Sequence, residues 1–553
     1  MRRRSEPPAP PARLALVAMV GALGACAGGG DSAGVPNDNG GLSGCALDGD
    51  CPTGLICQAA ACVNPEDLLP PDVEQPRDLD RPQTSAGRLF TLAPEGDALL
   101  VLDPSTLQVL AVPVPSGPQS LAVRPGLASA LVLSGASRAL TRVDLEPTPA
   151  LVGARLARRY GQVTVSPDGR WALLWTPATV DAAEDEEGVV ALVDIEAMGT
   201  RSASVFEAAA GFRLTDVHFV TDAGLATRAA VVGKGSVTVL ELARLGEAGY
   251  RPQRVLLPPT FAEVVGREVV AQPGAATLLL RSLGEPALAV VTLTGSATVA
   301  QRPLPARATD LDLSPQGDFA VAALRSAGLL AVLPLPEALS STAAVRFIPV
   351  AGVAPGQVEL SADGGRAAVF STADDAEVMG WVDLEQGDLR LVDGLEKAVR
   401  GVVLSPDGVG AVVVHRPVTS SVADDYERMV DADEGYSLVD LDSGFVQLVR
   451  TRGAPPDEVV FGDSGRYAAI TVRDDATARH RVEAADLGTL VVKSHALAST
   501  PRYAGALPGG EGVWILQAHP AGRISVLDLA TDQLRTLTGF RLNAEIVATG
   551  GGQ

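Results

Sequence analysis

Between residues 162 and 175 the chain reads Gln-Val-Thr-Val-Ser-Pro-Asp-Gly-Arg-Trp-Ala-Leu-Leu-Trp. Apolar and polar side chains alternate on both sides of Ser166-Pro167-Asp168-Gly169, the period of a strand. Proline presets φ at the second turn position and glycine accepts a positive φ, so the stretch predicts a β-hairpin. Relatives of this turn follow at Arg124-Pro125-Gly126, Thr221-Asp222-Ala223-Gly224, Gln272-Pro273-Gly274, Ser314-Pro315-Gln316-Gly317 and Ser361-Ala362-Asp363-Gly364. They continue at Ser405-Pro406-Asp407-Gly408, Gly462-Asp463-Ser464-Gly465 and Leu507-Pro508-Gly509-Gly510, with successive turns 42 to 57 residues apart. Between them lies a second marker, an apolar strand closing in an acidic or polar residue, as in Val143-Asp144-Leu145, Val193-Asp194-Ile195 and Val439-Asp440-Leu441. Each interval holds four strands, which is the period and content of a β-propeller blade. The fold class expected for residues 87–553 is therefore all-β, a propeller of about eight to ten four-stranded blades. Ten second markers stand against nine turns, so the first unit lacks its innermost strand, and Ala544–Ala548 reads as a strand without a partner. Pairing the two would close the ring and remove open edges.

The blade pattern resembles the PD40/WD40-like and YVTN-type bacterial propellers over about 465 residues. The resemblance bears on architecture; propellers host binding and catalysis alike, so it does not choose a function. There are no Trp-Asp dipeptides and no quinoprotein tryptophan motifs.

The N-terminus breaks the pattern. Arg2-Arg3-Arg4 and Arg13 precede an apolar run, Leu14 to Leu23, too short to span a bilayer but suited to a secretory signal over residues 1–25. Leu23-Gly24-Ala25-Cys26 resembles the lipobox of bacterial lipoproteins. That resemblance implies cleavage before Cys26, acylation of its thiol and anchoring by acyl chains that partition at roughly 0.8 kcal/mol per CH₂. Ala27, where an Asp would signal inner-membrane retention, points to the outer membrane.

Residues 26–44 read as a Gly-rich flexible tether. Cys45, Cys51, Cys57 and Cys62 then make an even set in an oxidising compartment, implying two disulfides with three connectivities open. This 45–62 segment resembles the short Cys-rich modules beside the anchor of many predatory-bacterium lipoproteins. Five prolines mark residues 63–86 as an extended linker.

Composition narrows the partners. A net charge of −22 argues against nucleic acid, because phosphate binding needs a basic footprint. Lysine occurs only at 234, 397 and 493, and arginine is spread over the whole chain. The b–c loops are acidic: Asp181 with Glu184 to Glu187, Asp374-Asp375, Asp424-Asp425 and Asp474-Asp475. Asp431-Ala432-Asp433-Glu434-Gly435 makes Asp431 and Asp433 weak Ca²⁺ candidates, a hard cation wanting clustered oxygens. The spacing completes no EF-hand, and a solvated acidic rim is the plainer reading. Beyond Ca²⁺ no cofactor is indicated.

Arginines recur at even offsets before the turns. Arg159, Arg213, Arg267, Arg307, Arg400 and Arg502 would share one side of the innermost strands or their entry loops, a candidate anion-binding ring at the channel mouth. Polar strand ends are the plainer account of them. Gly462-Asp463-Ser464-Gly465 looks like the nucleophile motif of trypsin-like proteases, but it stands where other units carry a turn, and no catalytic residue is assigned. The five histidines show no metal-ligand spacing. Two functions stay open. One is a membrane-anchored envelope lipoprotein whose propeller binds an envelope protein or extracellular ligand. The other is a propeller hydrolase of the lactonase type, acting at the channel mouth.

Overall fold

Strand after strand in this chain is apolar on both of its sides, and the fold must cover both. Ser129–Ser134 shows how: Ala130 and Val132 pack to one side, Leu131 and Leu133 to the other, and all six residues are buried. Such strands cannot form a sheet with one wet face. Stacking sheets face to face in a ring buries both sides of each.

The computed structural model describes Cys51, residues 56–58, 61–63 and 81–546, apart from 179–187, 201–204, 273, 275, 337, 339–340, 342–343, 420–423 and 544. The chain divides into two units at Leu68–Leu69. In the first, Ile56–Gln58 and Ala61–Val63 pair as a short antiparallel hairpin, and Cys51 is bridged to Cys62 with Cα atoms 5.5 Å apart. Cys57 is disulfide-bonded as well. The signal segment, Cys26 and Cys45 lie outside the described residues.

The second unit is a propeller of ten blades, each a four-stranded antiparallel meander, a–b–c–d. The a strands are Gln83–Ser85, Pro118–Val123, Gln162–Val165, Asp216–Asp222, Arg267–Ala271, Asp310–Leu313, Gln357–Leu360, Val399–Leu404, Pro456–Phe461 and Pro501–Ala506. They are innermost and surround the axis. Ten hydrophobic clusters hold the ring, each shared by two neighbouring blades. One of them joins blade 10 to blade 1, with Tyr503, Trp514, Ile524 and Phe540 against Leu89, Leu100 and Leu102.

Closure differs from the expectation in two ways. Blade 1 has an a strand of its own, Gln83–Ser85, inside the stretch read as linker. It joins strand b through Ala86 and Gly87, both at positive φ (47° and 69°), the two-residue turn that hairpins favour. Its contacts to blade 2 are polar. Gln83 donates to the Leu121 carbonyl and accepts from the Val123 amide, and the Ser85 hydroxyl reaches the carbonyls of Arg124 and Leu127. A three-residue strand held this way leaves no apolar alternation to read. The C-terminal strand, Glu545–Ile546, instead adds in parallel to the outermost strand of blade 1, Gln108–Pro113. Nearby, the Arg535 guanidinium donates to the Pro104 and Ser105 carbonyls at 2.9 Å.

Candidate functional site

The recurring turns are built as structure. In blade 3 the Ser166 hydroxyl bonds the Asp168 carboxylate and accepts the Trp171 amide at 2.9 Å, while Gly169 N–H closes the turn on the Ser166 carbonyl. Ser361 and Ser405 repeat the arrangement with Asp363 and Asp407, and Ser314 does so with Asp318. The Asp463-Ser464 pair belongs here too. Asp463 accepts the Gly509 and Gly510 amides of the next blade (2.6 and 2.9 Å), and the Ser464 hydroxyl accepts the Arg466 amide. The one carboxylate hydrogen-bonded to that serine, Glu511, accepts its backbone amide at 3.0 Å as part of the same joint between turns.

Along the axis, each a strand is a sheet edge whose N–H groups lack a further strand. Side chains of the preceding blade supply acceptors. Ser120 accepts the Val163 amide (3.2 Å), Asp310 the Val358 amide (2.7 Å), Asp312 the Leu360 amide (3.2 Å) and Glu458 the Ala504 amide (2.7 Å). Glu359 lies on the opposite side of its strand from Val358 and Leu360, which pack between blades 6 and 7. Solvent reaches Glu359, yet it is close enough to surrounding protein that burial, followed by repulsion from Asp312 and Asp310, lifts its carboxyl to about 7. Burial also raises Asp312. Sequence reading did not single out these three, although the alternation Asp310-Leu-Asp-Leu313 displays two of them.

The b–c and d–a loops form the other side of the ring. Arg159, Arg213 and Arg307 sit in d–a loops and Arg267 opens strand a of blade 5. Arg400 and Arg502 occupy β-bulges in the a strands of blades 8 and 10, where the extra residue resets the side-chain alternation that even offsets assume. Arg267 is engaged in the joint between blades 4 and 5, donating to the Gly233 and Phe261 carbonyls and to the Thr215 hydroxyl. Burial lowers its pKa. The other five are exposed, and Arg502 lies over the Tyr503 ring.

Blade 8 carries the one α-helix longer than a turn among the described residues, α1 (Asp425–Ala432), in its b–c loop. Asp424 caps its first turn, accepting the Tyr426 and Glu427 amides at 2.8 and 3.1 Å. Its far end is capped by Lys397, a fully buried residue of the d–a loop between blades 7 and 8, whose ammonium donates to the Val430 and Asp431 carbonyls. Burial lowers the Lys397 pKa, against the pull of Asp431, Asp433, Glu434 and Glu377. Glu377 and Glu434 are raised, chiefly by burial. Beneath them His415, also fully buried, bonds the Ser437 hydroxyl (2.7 Å) and the Ala398 carbonyl, and burial pushes it down to about 4.

The fold therefore brings together Arg400, Asp431, Asp433 and Glu434 with Lys397, a residue that sequence reading noted only as rare. The Ca²⁺ candidates are differently employed: Asp431 is in the last turn of α1, and Asp433 accepts the Gly453 amide at 2.6 Å and faces Arg450 at 3.5 Å. Among the described residues no three His, Cys, Asp or Glu side chains gather as a metal-binding set. The 181–187 carboxylates fall outside the described residues.

Exposed apolar side chains occur on both sides of the ring: Phe212, Val265, Tyr426 and Met429 on the loop side, Leu127, Leu225, Val409 and Phe445 on the turn side.

The architecture and this loop face define a β-propeller protein, here with ten blades. No family model and no curated protein matches the sequence. Solved structures similar to it include a eukaryotic initiation factor, 11% identical over 83% of this chain and 100% of that one, with a TM-score of 0.46. AztD from Citrobacter koseri is 14% identical over 66% of this chain and 93% of its own, TM-score 0.35. Virginiamycin B lyase from Staphylococcus aureus is 11% identical over 49% and 83%, TM-score 0.30. At such identities the likeness is one of fold alone, and the functional reading rests on this chain's residues.

Proposed function

We propose that this protein is an outer-membrane lipoprotein, anchored through Cys26, whose propeller is a binding platform for an envelope protein or extracellular ligand. The lipobox-like Leu23–Cys26 supports the anchor, and through the anchor an envelope location. The observation that carries the platform reading is α1. A helix of eight residues is marginal alone, yet here it is capped at both ends and held out from the ring with Tyr426 and Met429 exposed.

The test is photo-crosslinking in cells, with the photoreactive residue at Tyr426, Met429, Phe212 or Val265 and with Leu225 and Phe445 as opposite-side controls. One dominant protein adduct from the loop side is expected. Equal or absent labelling from both sides would refute the platform. In the same cells, Cys26→Ala should move the protein from the membrane fraction to the soluble one.

A second reading, the lactonase-type hydrolase, draws on Glu359, whose carboxyl near 7 beside Asp310 and Asp312 suits a general base. Turnover from a lactone panel that Glu359→Gln removes would support it.

A further inference from the structure

Tyr426, Met429 and Val430 fall on one face of α1, spaced at i, i+3 and i+4. Only Val430 is buried, whereas Tyr426 is 60% and Met429 47% exposed. The apolar stripe of this helix is thus covered at its C-terminal end, at Val430, and bare at Tyr426 and Met429. A helix in a globular protein normally buries that stripe against its own core. Here both termini are fixed by polar caps, Asp424 and Lys397, so the stripe is held open without being needed to dock the helix.

The surroundings are strongly one-signed. The stretches 371–378, 393–400 and 416–434, which join strands on the b–c/d–a side of blades 7 and 8, carry eleven carboxylates against four cations, a net of −7 out of −22 for the chain. The cations are largely taken up within the face. Lys397 is buried against backbone carbonyls, Arg416 pairs with Asp375 at 2.8 Å, and Arg428 pairs with Asp425. Arg400 is the remaining one, and it acts on Glu434. Glu377, Asp393, Glu396, Asp424 and Glu427 are exposed around the helix.

We propose that the bare stripe of α1 is a docking surface for a cationic protein segment, one that sets apolar side chains on Tyr426 and Met429 while its Lys or Arg residues meet the flanking carboxylates. Charge complementarity selects the partner: an anionic or neutral segment would leave these carboxylates unpaired or repelled beside the contact, whereas a cationic one gains attraction and faster encounter. The proposal rests on the platform reading and specifies where on that face, and for what chemistry.

The test titrates the full-length protein with two fluorescent amphipathic peptides of equal apolar content, one carrying arginines and one carrying glutamates. The arginine peptide should bind, and more weakly as ionic strength rises from about 0.05 to 0.3 M. Tyr426→Ser with Met429→Ser, which leaves the charge unchanged, should weaken that binding about tenfold, the scale of a lost pair of contact residues. Leu225→Ser with Phe445→Ser, on the other side, should leave it unchanged. Equal affinity for the double variant and the parent would overturn the proposal, because it would mean attraction by net charge alone. So would binding of the glutamate peptide. Both altered residues are exposed, and a circular-dichroism melt confirms that the variants fold. In-cell crosslinks from Phe212 or Val265 with none from Tyr426 or Met429 would overturn this surface and leave the platform standing. No crosslink from any of the four would overturn both.

Discussion

Replacing Glu359 by glutamine should stabilise this protein at alkaline pH and do nothing in acid. The folded carboxyl lies at about 7, against 4.5 for an ordinary glutamate. The folded state therefore holds the proton more tightly than the unfolded one, and stability declines as pH rises from about 4.5 to about 7. Below that window the protonated acid and the amide are alike. Above it the folded chain must carry a carboxylate that has lost hydration and faces Asp312 and Asp310. The difference between about 7 and 4.5 corresponds to roughly 3.4 kcal/mol. Because solvent reaches Glu359, we take about 1–2 kcal/mol as the effect after screening. For a domain of this size that is about 1–4 °C in Tm. Thermal unfolding of the parent and Glu359→Gln, followed by circular dichroism at pH 5, 6, 7 and 8, should give curves that coincide in acid and separate by that amount at pH 8. An offset that does not change with pH would refute the assignment, and so would a less stable variant at pH 8.

Other expectations follow from neighbouring features. His415, held near 4 by burial, binds its proton less readily when folded. This one group should cost the parent about 3 kcal/mol as pH falls from 6.5 to 4, and in urea titrations His415→Gln should lose that much less than the parent over the same interval. Lys397→Met removes the donor to the Val430 and Asp431 carbonyls, and hydrogen exchange in α1 should quicken by an amount equivalent to roughly 1–3 kcal/mol while the strands of blade 8 keep their protection. Gly465 and Gly453 both have positive φ, +78° and +80°, but a Cβ at Gly465 would stand 2.8 Å from the Asp407 backbone nitrogen whereas at Gly453 it meets nothing. Gly465→Ala should therefore cost clearly more than the roughly 1 kcal/mol expected for Gly453→Ala in the same melts. Arg159, Arg307 and Arg502 changed together to Gln should abolish sulfate binding by calorimetry without unfolding the ring, if the loop-side arginines hold anions. Unchanged affinity in the folded triple variant would end that idea.

The repeat was legible because a blade is a local object. Four strands and their turns span 42 to 57 residues, and strand alternation and Pro-Asp-Gly turns leave their marks at short range. The same locality exposed the Asp463-Ser464 motif as a turn, which its hydrogen bonds bear out. Local pattern alone thus carried the four-stranded unit, its two-sided apolar strands and a blade number of about eight to ten.

Tertiary structure decided the rest. Gln83–Ser85 is a strand because blade 2 offers carbonyls and an amide to its polar side chains, contacts about 40 residues away that no periodicity records. The last strand lies on the outer edge of blade 1 because the ring's geometry brings it there. Even offsets put six arginines on one side only for an unbroken strand, and the bulges at Arg400 and Arg502 break it. Lys397 was one lysine among three until the fold buried it under α1, and Glu359 was one carboxylate among many until Asp310 and Asp312 came beside it from the preceding blade. Periodicity encodes which residues must be buried, whereas charge, hydration and capping depend on which blades meet.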